Sequence, residues 1–264
     1  MIDPFVMVAP FLLLLIIGLL QFVGCNAIFG LHDVTEAVPK VISSQQDPAS
    51  TVETANSDSV SAQFGFPVAD GNLIIVWLFY ESAVQAVQNI TDNAANTYQL
   101  AVGPTTGQGQ LAGWRQELWY AANVNGTPIA PDTTITVTAT FPAAFNGEKA
   151  IVAHDYIGAQ KVSPLDQTAT NVGNTTGANQ AVSTGARMVR KAELVFAAAV
   201  FYGTFGTPGT GFGERSTADN NMSEDLVAVN DMSISATFNT QPMTDWIAQM
   251  ATFLAEEVAQ DATG

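Results

Sequence analysis

The hydrophobic pattern changes character once along the chain. From Phe5 to Leu31 (FVMVAPFLLLLIIGLLQFVGCNAIFGL) apolar residues run on with no charged side chain among them. From residue 58 the apolar positions come in short blocks, some alternating and some continuous, separated by Gly, Asn and Asp. The first pattern predicts a transmembrane helix or signal anchor over 1–31, because a bilayer core needs about 20 consecutive apolar residues. The second predicts strands. Between them, residues 32–57 are polar, contain Pro39 and Pro48, and read as a linker with a first strand near Ser50 to Thr54.

Within the apolar run, Pro10 predicts a kink. Gly18 and Gly24 permit close helix packing. The amide of Gln21 needs a partner in hydrocarbon: a neighbouring helix, a snorkelling path or a local water. Three fates are compatible with such a segment. A cleaved signal peptide would carry a basic start, but Met1, Ile2 and Asp3 supply no cation, and the apolar stretch is too long. Phe22-Val23-Gly24-Cys25 resembles a bacterial lipobox, with Phe22 where Leu is usual, which makes Cys25 a candidate for lipidation. An uncleaved anchor is the expected outcome. Lys40 alone would lean toward a cytoplasmic C-terminus; the character of the domain that follows argues for export instead.

Ser59 to Phe64 alternates, while Asn72 to Tyr80 (NLIIVWLFY) is continuously apolar, as in a central strand covered on both faces. Thr133 to Phe141 alternates Thr with Ile and Val, a half-exposed pattern. Ala150 to Ile157 and Glu193 to Phe201 read as buried strands. Leu226 to Val229, Ser233 to Phe238 and Trp246 to Leu254 complete the set. Turn signals fall at Ala69 to Asn72, Asp92-Asn93, Asn125-Gly126, Asn146-Gly147 and Gly206 to Gly213. Val84 to Asn89 fits at most a helical turn, and no internal repeat is visible. The expected fold is mainly β: a two-sheet antiparallel sandwich, jelly-roll-like, over 58–256, preceded by one N-terminal transmembrane helix and followed by an acidic tail over 257–264.

Charge narrows the partners. The 264 residues carry 24 acids against 8 bases, a net charge of −16. Such a surface repels phosphate backbones, which excludes nucleic acid as an expected partner. It also argues against docking on anionic lipid head groups. The single cysteine excludes an intrachain disulfide, so the domain stands on its core.

Candidate chemistry is sparse. His154, Asp155 and Tyr156 adjoin on one strand, where neighbours point to opposite faces, so His154 and Asp155 do not converge. The other histidine is His32. A zinc site needs three or four convergent ligands, and a serine hydrolase needs a base and a nucleophile elbow; neither pattern is present. Glu81, Glu117, Glu214 and Glu224 are glycosidase candidates by residue type alone. Calcium is the one ion with a plausible loop: Asp92, Asn93 and Asn96 offer oxygens, as do Asp219, Asn220, Asn221 and Glu224, although Asx turns account for both clusters equally well. Of the tryptophans, Trp77 and Trp246 sit in apolar strands and read as core. Trp114 and Trp119 point to opposite faces of one strand, which leaves room for one exposed sugar platform. Arg187, Arg190 and Lys191 form the one basic cluster.

The run ITDNAANTYQLAVGPTTGQGQ (residues 90–110) resembles a motif of bacterial surface β-sandwich domains, in which a V-x-D-x-x-G-N-x-Y turn precedes an aromatic strand. Asp92, Asn93, Asn96, Thr97 and Tyr98 match the turn, with Ala95 where Gly is usual. Gln116 to Ala121 is similar to the aromatic strand, residues 151–169 to a further strand with Asp155 where Glu is common, and Asp245 to Phe253 to the closing strand. The resemblance spans roughly residues 58–254. It implies the sandwich fold and a bacterial envelope location, and it brings no catalytic residues.

The expectation is therefore a non-enzymatic protein without a cofactor other than a candidate Ca2+. It would be single-pass in a bacterial inner membrane, its β domain periplasmic or extracellular. The lipid bilayer and membrane protein subunits are the expected partners: the chain would serve as an accessory or structural subunit of a membrane complex, photosynthetic or respiratory complexes being examples. The alternative is a lipidated surface binding module or adhesin that takes carbohydrate or protein.

Overall fold

The computed structural model describes residues 37–130, 132–174, 181–203, 206–240 and 245–258. The apolar run Phe5 to Leu31, with Gly18, Gln21, Gly24 and Cys25, lies outside them, as do residues 259–264 of the tail. Among the described residues no helix is long and apolar enough to cross a membrane. The compact body runs from Pro39 to Glu257.

Strands make up nearly all of its regular structure. In chain order they are β1 (Val38–Pro39), β2 (Ser43–Ser44), β3 (Ala49–Glu53), β4 (Ser57–Gln63), β5 (Leu73–Glu81), β6 (Asn89–Asp92), β7 (Gln99–Thr106), β8 (Trp114–Ala121), β9 (Thr136–Phe145) and β10 (Lys149–Ile157). There follow β11 (Leu165–Asn174), β12 (Ala181–Ser183), β13 (Arg187–Val189), β14 (Leu194–Phe201), β15 (Gly213–Ala218), β16 (Asn221–Val227), β17 (Met232–Ile234), β18 (Thr237–Asn239), β19 (Asp245–Phe253) and β20 (Glu257–Val258). One 3-10 turn, η1 (Gly109–Leu111), joins β7 to β8. Val84 to Asn89 forms no helical turn. From Pro39 on, the stretch expected as a linker belongs to the body. β2 and β3 pair with β10, and Ile42 is fully buried.

The mainly β fold is present, but the two-sheet picture needs correction. Two inner antiparallel sheets lie face to face, one with the order β2/β3–β10–β5–β8–β7 and the other β11–β19–β14–β16–β15. Each is covered on its far side by outer strands: β4–β9–β6 over the first, the short ladders β12–β18 and β13–β17 over the second. The body is thus two sandwiches sharing a middle core. Their strand orders correspond one to one. In each half the first strand (β3 or β11) pairs with the last (β10 or β19), which pairs with the central strand (β5 or β14), followed by β8 or β16 and then β7 or β15. The chain is internally duplicated in topology, which the sequence reading did not see.

Period-2 alternation sorts the side chains into three cores. Leu73, Ile75, Trp77 and Phe79 of β5 meet Leu194, Phe196, Ala198 and Val200 of β14 in the middle. Ile74, Val76, Leu78 and Tyr80 turn outward against Val137, Ala139 and Phe141 of β9. In the second half Val195, Ala197, Ala199 and Phe201 meet Ala236 and Phe238. A strand covered on both faces has no solvent side to keep polar, which is why β5 and β14 read as continuous apolar runs.

The polar groups that enter the middle core bond across it. Gln116 Nε2 donates to Ala198 O (2.8 Å), and Gln249 Nε2 donates to Gln116 O (2.9 Å) and Thr105 Oγ1 (2.8 Å). Tyr156 OH donates to Asp225 Oδ2 (2.8 Å), whose carboxylate also pairs with Arg215 Nε at 2.7 Å. These bonds fix one half on the other in a single register, because leaving any of the groups unpaired inside the core is costly.

The strand ends define two ends of the body. At the first, here called proximal, β5 opens at Leu73, β8 closes at Ala121, β10 closes at Ile157, β14 opens at Leu194 and β19 closes at Phe253. The body's own termini lie there: Lys40 N donates to Glu256 O (2.7 Å), and Glu256 N to Gly158 O (2.8 Å). The opposite, distal end carries Glu81, Trp114, Lys149 and Phe201.

A shared middle core predicts joint unfolding. Guanidinium unfolding of the wild type is expected to give one transition, superimposable by far-UV circular dichroism and tryptophan fluorescence. Trp77→Ala, which empties the centre of the middle core, is expected to cost about 3–5 kcal/mol while preserving a single transition. Two separated transitions in either protein would show halves that fold independently.

Candidate functional site

The distal end opens into a cleft of about 550 Å³ between the two halves. The first half contributes Glu81 from the end of β5, Trp114 from the start of β8 and Glu148 from the turn before β10. The second contributes Phe201, Tyr202 and Gly203 after β14, and Asp219, Asn220 and Asn221 from the β15–β16 hairpin. Gln110 and Leu111 of η1 complete the lining.

Local chemistry holds each piece in place. Asp219 and Asn220 have φ of 45° and 62°, the left-handed pair of a two-residue hairpin turn, where Asp and Asn are favoured. The Asn221 side chain accepts from Phe201 N (2.8 Å) and donates to Asp219 O (3.1 Å), tying the hairpin to the end of β14. Asp245 accepts from Gln110 N (2.7 Å) and Asn174 Nδ2 (2.8 Å), which fastens η1 to β19. Glu81 N donates to Glu148 O at 2.8 Å. Gly147 lies so close to this strand that a Cβ there would sit 2.5 Å from Glu81 O. Beneath the turn, the buried Lys149 ammonium donates to Ala55 O (2.9 Å), Phe145 O (3.1 Å) and Gly147 O (3.1 Å), and lies 4.2 Å from the Phe145 ring centre. All three ammonium donors are satisfied, so Lys149 clamps the turn that carries Glu148.

The electrostatics of the cleft centre on Glu148. Partial burial, then the adjoining Asp219 carboxyl, then Glu81, push its pKa up to about 7. Glu148, Asp219 and Glu81 line one cleft. What the cleft offers is three carboxyl groups, three amides and three aromatic rings, of which Phe201 is buried, Trp114 half-buried and Tyr202 half-exposed.

The residues singled out from sequence are placed as follows. Asp92 Oδ1 accepts from Ala94 N and Asn96 N, both at 3.0 Å. Its Oδ2 accepts from Asn96 Nδ2 (2.8 Å) and Tyr98 OH (2.9 Å). Asn93 Oδ1 accepts from Thr136 N (2.9 Å). The loop's own donors bond the Asp92 oxygens, while Thr136 N and Asn125 N (2.7 Å) bond those of Asn93 and Asn96, a turn that pins β6 to β9. Among the described residues no three His, Cys, Asp or Glu side chains group as a metal site. Of the other proposed loop, Asp219, Asn220 and Asn221 reach the cleft, whereas Glu224 is buried on the far face of its sheet and accepts from Gly209 N (2.8 Å).

His154 is buried between the halves. Its Nε2 lies 3.4 Å from Ser223 Oγ, and burial together with Arg215 lowers its pKa to about 3, so it stays neutral. Asp225, the nearby carboxylate of that network, is committed to Tyr156 and Arg215, and the group is sealed from solvent: a core network, not a triad. Asp155 points to the opposite face and accepts from Asn72 Nδ2 (2.6 Å) and Gln46 Nε2 (2.9 Å). Glu117 is buried and accepts from Trp119 Nε1 (2.8 Å) and Tyr80 OH. Glu214 lies outside the cleft. Glu81 reaches it, and Trp114 does so as the partner of Trp119 that faces the groove. Sequence reasoning missed Glu148 and Tyr202. Asn146-Gly147 ahead of a buried strand was the available signal for the first. The second had only the Phe-Tyr ending that β14 shares with β5. Comparison with protein families, with curated proteins and with solved structures finds no match to this chain.

Two predictions follow from this geometry. Ala95 has a φ of 59° in the Asp92 turn, a conformation that costs a non-glycine residue about 1–2 kcal/mol. Ala95→Gly is therefore expected to stabilise the protein by about 0.5–1 kcal/mol after the unfolded-state entropy of glycine is subtracted, read as a higher denaturation midpoint. The second concerns pH. Burial raises Glu148 and Glu193 to about 7 and Glu224 to about 8, above their unfolded value of 4.5. The native state holds these protons more tightly, so their contribution is complete below about 4.5 and is lost as pH rises through 7 to 8. Thermal melts are expected to give a higher midpoint at pH 5 than at pH 8.5, and the double variant Glu148→Gln, Glu224→Gln should flatten that slope.

Proposed function

We propose that the protein is a membrane-tethered, non-catalytic binding module of a bacterial envelope, and that the distal cleft takes a carbohydrate. The observation that carries this reading is the pairing of Trp114 and Tyr202 with Glu148, Asp219 and Asn220 in one groove. Aromatic faces stack on the C–H faces of a pyranose, while carboxyl and amide groups bond its hydroxyls; a mostly pre-formed cleft with a few convergent polar groups suits such a ligand. Glu148, with its pKa raised to about 7, can donate to a hydroxyl as well as accept from one. The apolar run Phe5 to Leu31 supports a tether as a single-pass span or, alternatively, through a lipidated Cys25.

Titration of the purified protein against a panel of neutral and amino sugars, read by calorimetry, tests the ligand. Binding is expected to weaken about tenfold or more in Trp114→Ala, the loss expected for one stacking contact of about 1.4 kcal/mol. A flat response across a glycan array and in calorimetry would sink the carbohydrate reading.

A second reading is the accessory or structural subunit of a membrane complex. The outer face of β4–β9 favours it, with Ser59, Ser61, Thr138 and Thr140 forming a flat hydroxyl-lined surface around the Ser61 Oγ–Thr138 Oγ1 contact at 2.8 Å. Purification in mild detergent with intact-mass spectrometry separates the two: stoichiometric partners support the subunit, whereas a protein that arrives alone supports the binding module.

A further inference from the structure

We propose that the proximal end of the body rests on the lipid bilayer, its exposed apolar loop tips inserted at the head-group boundary. This inference rests on the reading of Phe5 to Leu31 as a span and goes beyond it. A tether alone would leave the body free to tumble.

Apolar side chains at solvent-exposed positions are common singly but are not usually gathered at one end of a domain. Here they are. Val41, Phe66, Ile129 and Val162 are between 69% and 74% exposed. Phe66 stands in the β4–β5 loop and Ile129 in the β8–β9 loop, with its N–H bonded to Asn93 O (2.8 Å) at the foot of β6. Val162 follows β10, and Val41 lies against Gly158, where a Cβ would meet Val41 O at 2.6 Å. In the second half Val229 follows β16 and is 72% exposed at the same end. Among the described residues, Val84 is the comparably exposed aliphatic residue of the distal end. The loops that bear these tips are held by internal bonds: Gln46 Oε1 accepts from Phe66 N (3.0 Å), Asp70 Oδ1 from Gly126 N (2.7 Å), and Val162 O from the Gln160 amide at 2.5 Å. The tips are displayed on rigid loops and not turned inward.

Chain length argues that a bilayer covers them. The apolar run ends at Leu31, and Pro39 already belongs to the body. Eight residues reach at most about 28 Å when fully extended, less than the roughly 30 Å length of the nine-residue strands. Since the body begins at Pro39, at the end that carries the apolar tips, a span ending at Leu31 limits that end to within about 28 Å of the interface. Charge is compatible with this placement. Lys40, Lys161, Arg190 and Lys191 gather at the proximal end, and acids balance them locally: Glu256 pairs with Lys40 at 2.7 Å, Asp166 with Arg190 at 3.7 Å, and Asp231 accepts from Lys191 N at 2.8 Å. Insertion of apolar tips needs no anionic lipid. Placement against the bilayer would also point the cleft away from it.

The test uses the full chain reconstituted in vesicles of dibrominated phosphatidylcholine, whose bromines quench tryptophan at the level of the acyl chains. Two single variants, Phe66→Trp at the proximal end and Val84→Trp at the distal end, are compared with the wild type. Both positions are exposed, so both variants should fold, as circular dichroism checks. The added fluorescence of Phe66→Trp is expected to be quenched at least twofold more than that of Val84→Trp, with the same result when phosphatidylglycerol is included. Equal quenching in protein that floats with the vesicles would overturn the docking and leave the tether standing. A chain that does not float with the vesicles would overturn both. Quenching only when phosphatidylglycerol is present would replace apolar insertion with charge attraction and overturn the proposal as stated.

Discussion

The middle core between the two inner sheets is the constraint on which the rest of this structure depends. Trp77 and Phe79 on one side and Phe196 and Val200 on the other bury the faces that each half would otherwise expose. At roughly 1.5–3 kcal/mol for each large side chain removed from water, this contact outweighs any single polar interaction in the molecule. It also dictates how polar groups behave inside. Gln116, Gln249, Tyr156 and Asp225 enter the core only by bonding to the opposite half. His154 does so as a neutral ring beside Ser223. A histidine, a serine and an aspartate within one small region would suggest chemistry on a surface. In a sealed core they act as fasteners.

Because both inner sheets are covered on both faces, the strand ends are where backbone and side chains can meet a ligand or a surface. The two ends have diverged. The distal end gathers carboxyl and amide groups around aromatic rings and raises the pKa of Glu148. The proximal end gathers apolar tips and the body's termini. One end is suited to holding something polar, the other to lying against something apolar. Strands of about nine residues keep the two apart.

The Asp92 turn shows how far sequence pattern reaches toward a site. Asp92, Asn93, Asn96 and Tyr98 were legible as a unit, and they are one, but the oxygens that suggested calcium accept hydrogen bonds from their own loop at Asp92 and from Thr136 and Asn125 at Asn93 and Asn96. Residue type marked the cluster; only coordinates assigned its bonds. Ala95 is the converse case: glycine was the expected residue, and the left-handed φ shows why. Glu148 carried no signal of its own, because its raised pKa depends on Asp219, which arrives from the other half of the chain.

From local alternation and turn chemistry, sequence alone located the long central strands and which of their residues share a face, but not the short ladders β12, β13 and β15. It determined that β5 and β14 would be covered on both sides, as their apolar runs require. Tertiary structure alone decided what covers them. Alternation says that a face is buried, not against which partner, so the duplication into two sandwiches stayed hidden although Ala139-Thr140-Phe141 and Ala236-Thr237-Phe238 occupy matching outer positions. Tertiary structure also decided the cleft and the apolar end, because both are made of loop residues far apart in the chain, brought together by strand register.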